Sequence, residues 1–187
     1  AESLTDALRD ENVEPTPLGL ISTAIGGSMI EEWVTNTTTE KCSNASRGQH
    51  DQTLWNTNVV PYLPMTVAGW LWYQGENNCH GVMGNSETET GYGCQLPALV
   101  DLWRTEWGAV EGTTASDAPF GVVTLASGGS EGGVDIGGMR WSQTANYGVL
   151  PNDAMPNTFL AHAYDLGDPW PSKSCYSWQC CSNNYNQ

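Results

Sequence analysis

Four apolar runs, each giving way to a loop of small and polar residues, constrain this 187-residue chain more than any other feature. They are Leu18 to Thr23 running into Gly26-Gly27, and Val67 to Tyr73 running into Gln74-Gly75-Glu76-Asn77. Phe120 to Ala126 runs into Ser127 to Gly133, and Thr158 to Tyr164 runs into Asp165 to Asp168. Near-continuous apolar character over so few residues is the pattern of strands buried on both faces. Helical spacing lies between them. Leu96, Leu99, Val100 and Trp103 share one helix face, with Gly108 placed to stop the helix. Arg140 to Tyr147 reads as a further helix, and Ser3-Leu4-Thr5-Asp6 as the cap of a first one. Strands alternating with helices predict an α/β fold, a mainly parallel sheet in a three-layer α/β/α arrangement. Ligands of such sheets bind at the carboxyl ends of the strands, where all four loops lie.

Length suits one domain, residues 1–187, with 171–187 as a cysteine-rich loop or tail that closes no element. The net charge of −15 excludes a nucleic-acid-binding role on electrostatic grounds and disfavours anionic membranes. No apolar run reaches the roughly 20 residues of a membrane helix. The first residues form neither a basic nor an apolar leader, so we expect a processed chain or one that begins inside a longer precursor.

The six cysteines, Cys42, Cys79, Cys94, Cys175, Cys180 and Cys181, suggest disulfides and an oxidising compartment. Cys79 and Cys94 bracket a glycine-rich loop, and we expect them to pair. The cysteine spacing lacks the histidine partners of a zinc site, so no metal or cofactor is expected. The sequons at Asn36 and Asn44 lie in a polar stretch, Thr35 to Gln52, that reads as a glycosylated surface loop.

Gly128-Gly129-Ser130-Glu131-Gly132 has the form of a nucleophile elbow, but the residues after it are too glycine-rich for the helix that an elbow requires. His162 lies inside an apolar strand and reads as a packing residue. His50 lies in polar surroundings, and His80 sits at the edge of the Asn77-Asn78 loop. The informative segment is Gly69-Trp70-Leu71-Trp72-Tyr73-Gln74-Gly75-Glu76-Asn77-Asn78, where a buried strand delivers amide and acidic side chains to its carboxyl end.

That segment resembles the Trp-Tyr-Gln-Gly-Glu-Ser-Asn motif of sialate O-acetylesterases, within the SGNH-type hydrolases. The resemblance extends to Pro17 to Ser22 with Gly26-Gly27-Ser28 and Glu31-Glu32-Trp33, and to Gly93 to Leu99 with Trp103-Arg104. Met139 to Ala145, Met155 to Phe159 and Asp165 to Asp168 continue it in order. It implies an incomplete SGNH-hydrolase-like, flavodoxin-like domain of a secreted or lysosomal enzyme. That enzyme would remove O-acetyl groups from sialic acids or related sugars through a Ser/His acyl-enzyme. The family's Gly-Gln-Ser-Asn-Met nucleophile motif and His-Pro motif have no counterpart here. Ser and His are therefore expected from the rest of the same precursor or from a partner fragment. The residues that remain are Gly27 and Gln74 as oxyanion donors, Glu76 as an orienting group, and Asn77 and Arg140 as substrate contacts. The rival expectation is a catalytically inactive extracellular glycoprotein module with a structural or sugar-binding role; tryptophan would suit sugar stacking, though most of the nine are expected in the core.

Overall fold

The computed structural model describes residues 6–7, 17–42, 52–79, 81–85, 87–126, 134–164 and 166, with side chains at 134 and 135 left out. The expected Ser3 to Asp6 cap, the Ser130 loop, His50, His80, Asn44, Ser127, Asp165 and the tail lie outside these residues.

Three of the apolar runs form the sheet: β1 (Trp70–Trp72), β2 (Phe120–Thr124) and β3 (Thr158–His162). The order is β1-β2-β3, all parallel, with Trp70 opposite Phe120 and Phe120 opposite Thr158. The helices are α1 (Asn36–Lys41), α2 (Tyr92–Trp107) and α3 (Val134–Ser142), with single tight turns at Ile30–Trp33 and Glu76–Asn78. Helix α2 begins four residues earlier than Leu96 and ends as expected: the N–H of Gly108 bonds Arg104 O at 2.9 Å. Helix α3 starts at Val134 and runs through Gly137-Gly138, residues expected to be too glycine-rich for a helix, and it stops at Ser142, short of Tyr147, because Gln143 to Asn146 form a turn with left-handed backbone at Ala145 and Asn146.

Both crossovers step the same way across the sheet, and parallel crossovers are right-handed, so α2 and α3 share one face. The two helices touch each other and close one core with Trp72, Phe120, Val122, Leu125, Leu96, Leu99 and Met139. Edge-to-face tryptophan contacts fill it, Trp72 with Trp33 at 5.8 Å and with Trp103 at 5.7 Å between ring centres. The other face shows Leu71 at 72% and Phe159 at 45% exposure. The described residues thus supply two of the three expected layers.

The first apolar run is not a strand. Leu18 to Thr23 is extended but has no ladder partner among the described residues, and Leu20 and Ile21 are exposed. Strand pattern alone does not make a strand, because each backbone donor and acceptor needs a neighbouring strand.

The cysteine pairing also departs from expectation. Cys94 bonds Cys42, with Cα atoms 5.6 Å apart, and not Cys79. Cys94 lies in the first turn of α2, and α1 packs there so that its C-cap, Cys42, meets it. Cys79 is itself disulfide-bonded elsewhere. The Thr35 to Gln52 stretch is not all loop either: Thr35 caps α1 by accepting from the Thr38 N–H at 3.2 Å. Asn36 sits exposed in the first turn of that helix. No helix among the described residues is long and apolar enough to cross a membrane.

Candidate active site at the carboxyl edge of the sheet

Strand β1 ends at Trp72, and the next residues carry Tyr73 and Gln74 to the carboxyl edge. Gly75 then turns the chain at φ +142°, where a Cβ would sit 2.7 Å from the Met139 methyl. A single turn, Glu76–Asn78, follows. This sharp reversal stacks four polar side chains within one short segment.

Three of them, Gln74, Asn77 and Asn78, grip the loop that follows the first apolar run. Gln74 Nε2 donates to Ser28 O at 3.0 Å and to Asn78 Oδ1 at 2.8 Å. Asn77 Nδ2 donates to Gly27 O. The Ile30 N–H donates to Asn78 Oδ1 at 3.0 Å, and Asn78 Nδ2 donates to Glu31 Oε2 at 2.9 Å. Trp33 Nε1 closes the loop onto Ser28 Oγ at 3.0 Å. Gly27 occupies the left-handed region at φ +80° and is exposed. Its carbonyl is held inward, and among the described residues its N–H meets no acceptor.

The Gly27–Ser28 turn thus lies against Gln74 and Asn77, but Gln74 is not placed as a free oxyanion donor. Both of its amide hydrogens are committed to protein acceptors, and the side chain is 7% exposed. It has no donor left for a ligand in this arrangement.

Gln143 joins the ends of β1 and β2. Its Nε2 donates to Gln74 O at 3.1 Å and Val123 O at 3.0 Å, and its Oε1 accepts from the Leu125 N–H at 3.1 Å. Sequence reasoning quoted it only within a family block and gave it no role. No local signal marked it, because Arg140, Ser142, Thr144 and Asn146 around it are polar as well.

Arg140 reaches the same edge from α3. Its Nε donates to Leu125 O at 2.8 Å, and its guanidinium lies 5.6 Å from the centre of the Tyr164 ring. Nη2 is buried without a hydrogen-bond partner among the described residues. Burial lowers its pKa from the usual arginine value, an effect opposed by Tyr164 and Tyr73. Burial raises the Tyr73 hydroxyl, opposed by a bond to the Ala126 backbone, and the Glu76 charge adds to the rise. Burial likewise raises the Glu76 carboxyl above its ordinary value, against a bond from its own backbone N–H. The edge thus holds Arg140, with a donor unused among the described residues, and Glu76, a carboxyl easier to protonate than usual.

His162 is not a packing residue. It lies exposed at the end of β3, its ring 5.0 Å from that of Tyr164, because β3 is an edge strand among the described residues. Trp33, Trp55, Trp72, Trp103 and Trp107 belong to the core, as expected of most of the tryptophans, and Trp141 is 53% exposed.

Comparison with known proteins agrees with this layout. A family model described as carbohydrate esterase, sialic acid-specific acetylesterase, matches residues 3–168. The chain is 38% identical over 165 residues to the sialate O-acetylesterases of Pongo abelii and Homo sapiens, covering 81% of this chain and 30% of each relative. It is 33% identical to that of Rattus norvegicus over 192 residues, covering 81% of this chain and 34% of the relative. The chain therefore spans about a third of the length of these relatives. With the match running from the Gly27 turn through the Gln74 strand end to the β3 edge, the chain belongs to the sialic acid-specific acetylesterase family of carbohydrate esterases.

Proposed function

We propose that this chain is the preformed part of a carbohydrate O-acetylesterase pocket, and that the enzyme removes O-acetyl groups from sialic acids or related sugars. The carrying observation is the Gly27 turn, gripped from behind by Gln74 and Asn77 with its own N–H unspent. Ester hydrolysis through an acyl-enzyme needs an activated Ser and donors aimed at the developing oxyanion. The Ser and His come from outside this chain, from the rest of the polypeptide or a partner fragment. Gly27 N–H is the oxyanion donor that this chain supplies.

Gln74 serves that donor by fixing the turn, since both its hydrogens are used on the protein. Glu76 orients neighbours or the sugar, and Asn77 meets the substrate beside the turn. Arg140 Nη2, lacking a protein acceptor among the described residues, suits a carboxylate such as that of a sialic acid. The Cys42–Cys94 bond supports a secreted or lysosomal location, and exposed Asn36 is an accessible glycosylation acceptor.

The test is acetate release from O-acetylated sialic acid by a longer polypeptide that contains this chain. Turnover by that polypeptide, with none by the 187-residue chain, supports the reading. A longer polypeptide that binds the sugar without turnover would instead make it a sugar-binding relative.

A further inference from the structure

We infer that Tyr92 is a positioning residue, whose hydroxyl anchors the Oε1 end of the Gln74 amide and through it pins the Gly27–Ser28 turn. The catalytic meaning of this rests on the proposed esterase function; the positioning itself does not. Tyr92 is fully buried, yet a tyrosine hydroxyl in a core of tryptophan, leucine and phenylalanine needs partners. It has three. Trp72 Nε1 donates to it at 3.1 Å, and it lies 3.0 Å from Gln74 Oε1 and 3.2 Å from Gln74 O.

The direction of every bond in this network is decided by groups with one possible polarity. An indole N–H can only donate, so Tyr92 accepts from Trp72 and its own proton goes to Gln74. Ser28 O can only accept, so Nε2 faces Ser28 and Asn78, and Oε1 is left to take the Tyr92 proton. At the far end the Ile30 N–H can only donate and the Glu31 carboxylate only accepts. Asn78 must then present Oδ1 to Ile30 and Gln74, and Nδ2 to Glu31. Both ends demand the same direction, so one proton arrangement satisfies the whole buried chain. Such a network specifies a single geometry, and breaking one member leaves the others unsatisfied. The device thus ties helix α2, the end of β1 and the 28–31 loop to one another without a charge pair.

The test needs no turnover. In the 187-residue chain, Tyr92→Phe keeps the ring but removes the hydroxyl. The side-chain amide resonances of Gln74 and the indole N–H resonance of Trp72 should both move. Hydrogen exchange at the Ile30 amide, which reports the far end, should rise about tenfold, the effect of losing one net hydrogen bond. Exchange at Leu99 to Trp103, on the same helix but outside the network, should stay unchanged. If Tyr92→Phe fails to fold, Gln74→Glu breaks the next link, because a carboxylate keeps the Tyr92 contact and cannot donate to Ser28 O; the Ile30 exchange is then the readout, and its staying unchanged would overturn the proposal. Unmoved Gln74 resonances with unchanged Ile30 exchange would overturn the proposal, as would a uniform rise across α2, which would mean general loss of stability. An inactive longer polypeptide with this exchange pattern intact would sink the esterase reading and leave the positioning role standing.

Discussion

The side-chain amide of Gln74 meets the carbonyl of Ser28 at 3.0 Å across 46 residues of sequence, fastening the end of β1 to the turn that exposes Gly27. A strand end is rigid because its backbone is held in the ladder, whereas a glycine turn is not. The bond lends the strand's rigidity to the turn, and a rigid element is the better platform for a group that must be placed within a fraction of an ångström.

The disulfide gives the plainest prediction about stability. Cys42 and Cys94 close a loop of 52 residues, so replacing both by serine should cost about 4 kcal/mol in the chain-entropy model. Chemical denaturation measures it. Peptide mapping without reduction should recover the Cys42 and Cys94 peptides joined, and a Cys79–Cys94 linkage would contradict the structure.

Arg104 is a second structural anchor. Its Nε, Nη1 and Nη2 donate to Ala118 O at 3.0 Å, Pro156 O at 2.7 Å and Asn157 O at 2.8 Å, bolting α2 to the entries of β2 and β3. Lysine cannot reproduce three donors in a planar fork. Arg104→Lys should cost about 3 kcal/mol by leaving two or more of these carbonyls unpaired, with the overall fold by circular dichroism unchanged.

Glu76 should make stability depend on pH. Burial holds its carboxyl above the ordinary value, so between the two values the folded chain binds more proton than the unfolded one. The stability linked to the neutral acid is complete below the ordinary carboxyl range and is lost as pH rises through the raised value. Glu76→Gln should therefore melt higher than the parent at pH 7. The difference should close as pH falls toward about 4, where a free glutamate is half protonated. Thermal melts across that range check the sign.

How far the sequence carried these conclusions depended on whether the controlling contact was local. Phe120 to Thr124 and Thr158 to His162 were legible because apolar runs bounded by turn residues suit buried strands. Leu18 to Thr23 had the same pattern and failed, since pairing depends on a neighbour that no local pattern encodes. The cysteine pairing failed for a similar reason: Cys79 is close to Cys94 in sequence, but α1 against α2 decides the bond. The sequence grouped Gln74, Asn77 and Gly27, and in the structure Gln74 bonds Ser28 O and Asn77 bonds Gly27 O. The direction of the Gln74 amide was not legible, because its partners Ser28 and Tyr92 lie 46 and 18 residues away on other elements.

The account turns on Gln74 holding the Gly27 turn for the transition state. The most direct measurement is the kinetics of Gln74→Ala in a longer polypeptide that hydrolyses an acetyl ester. A misplaced donor costs rate and little ground-state binding, so kcat should fall on the order of 10² with KM nearly unchanged. A raised KM at constant kcat would contradict it, making Gln74 a group that binds substrate and leaving the turn to be placed by other means.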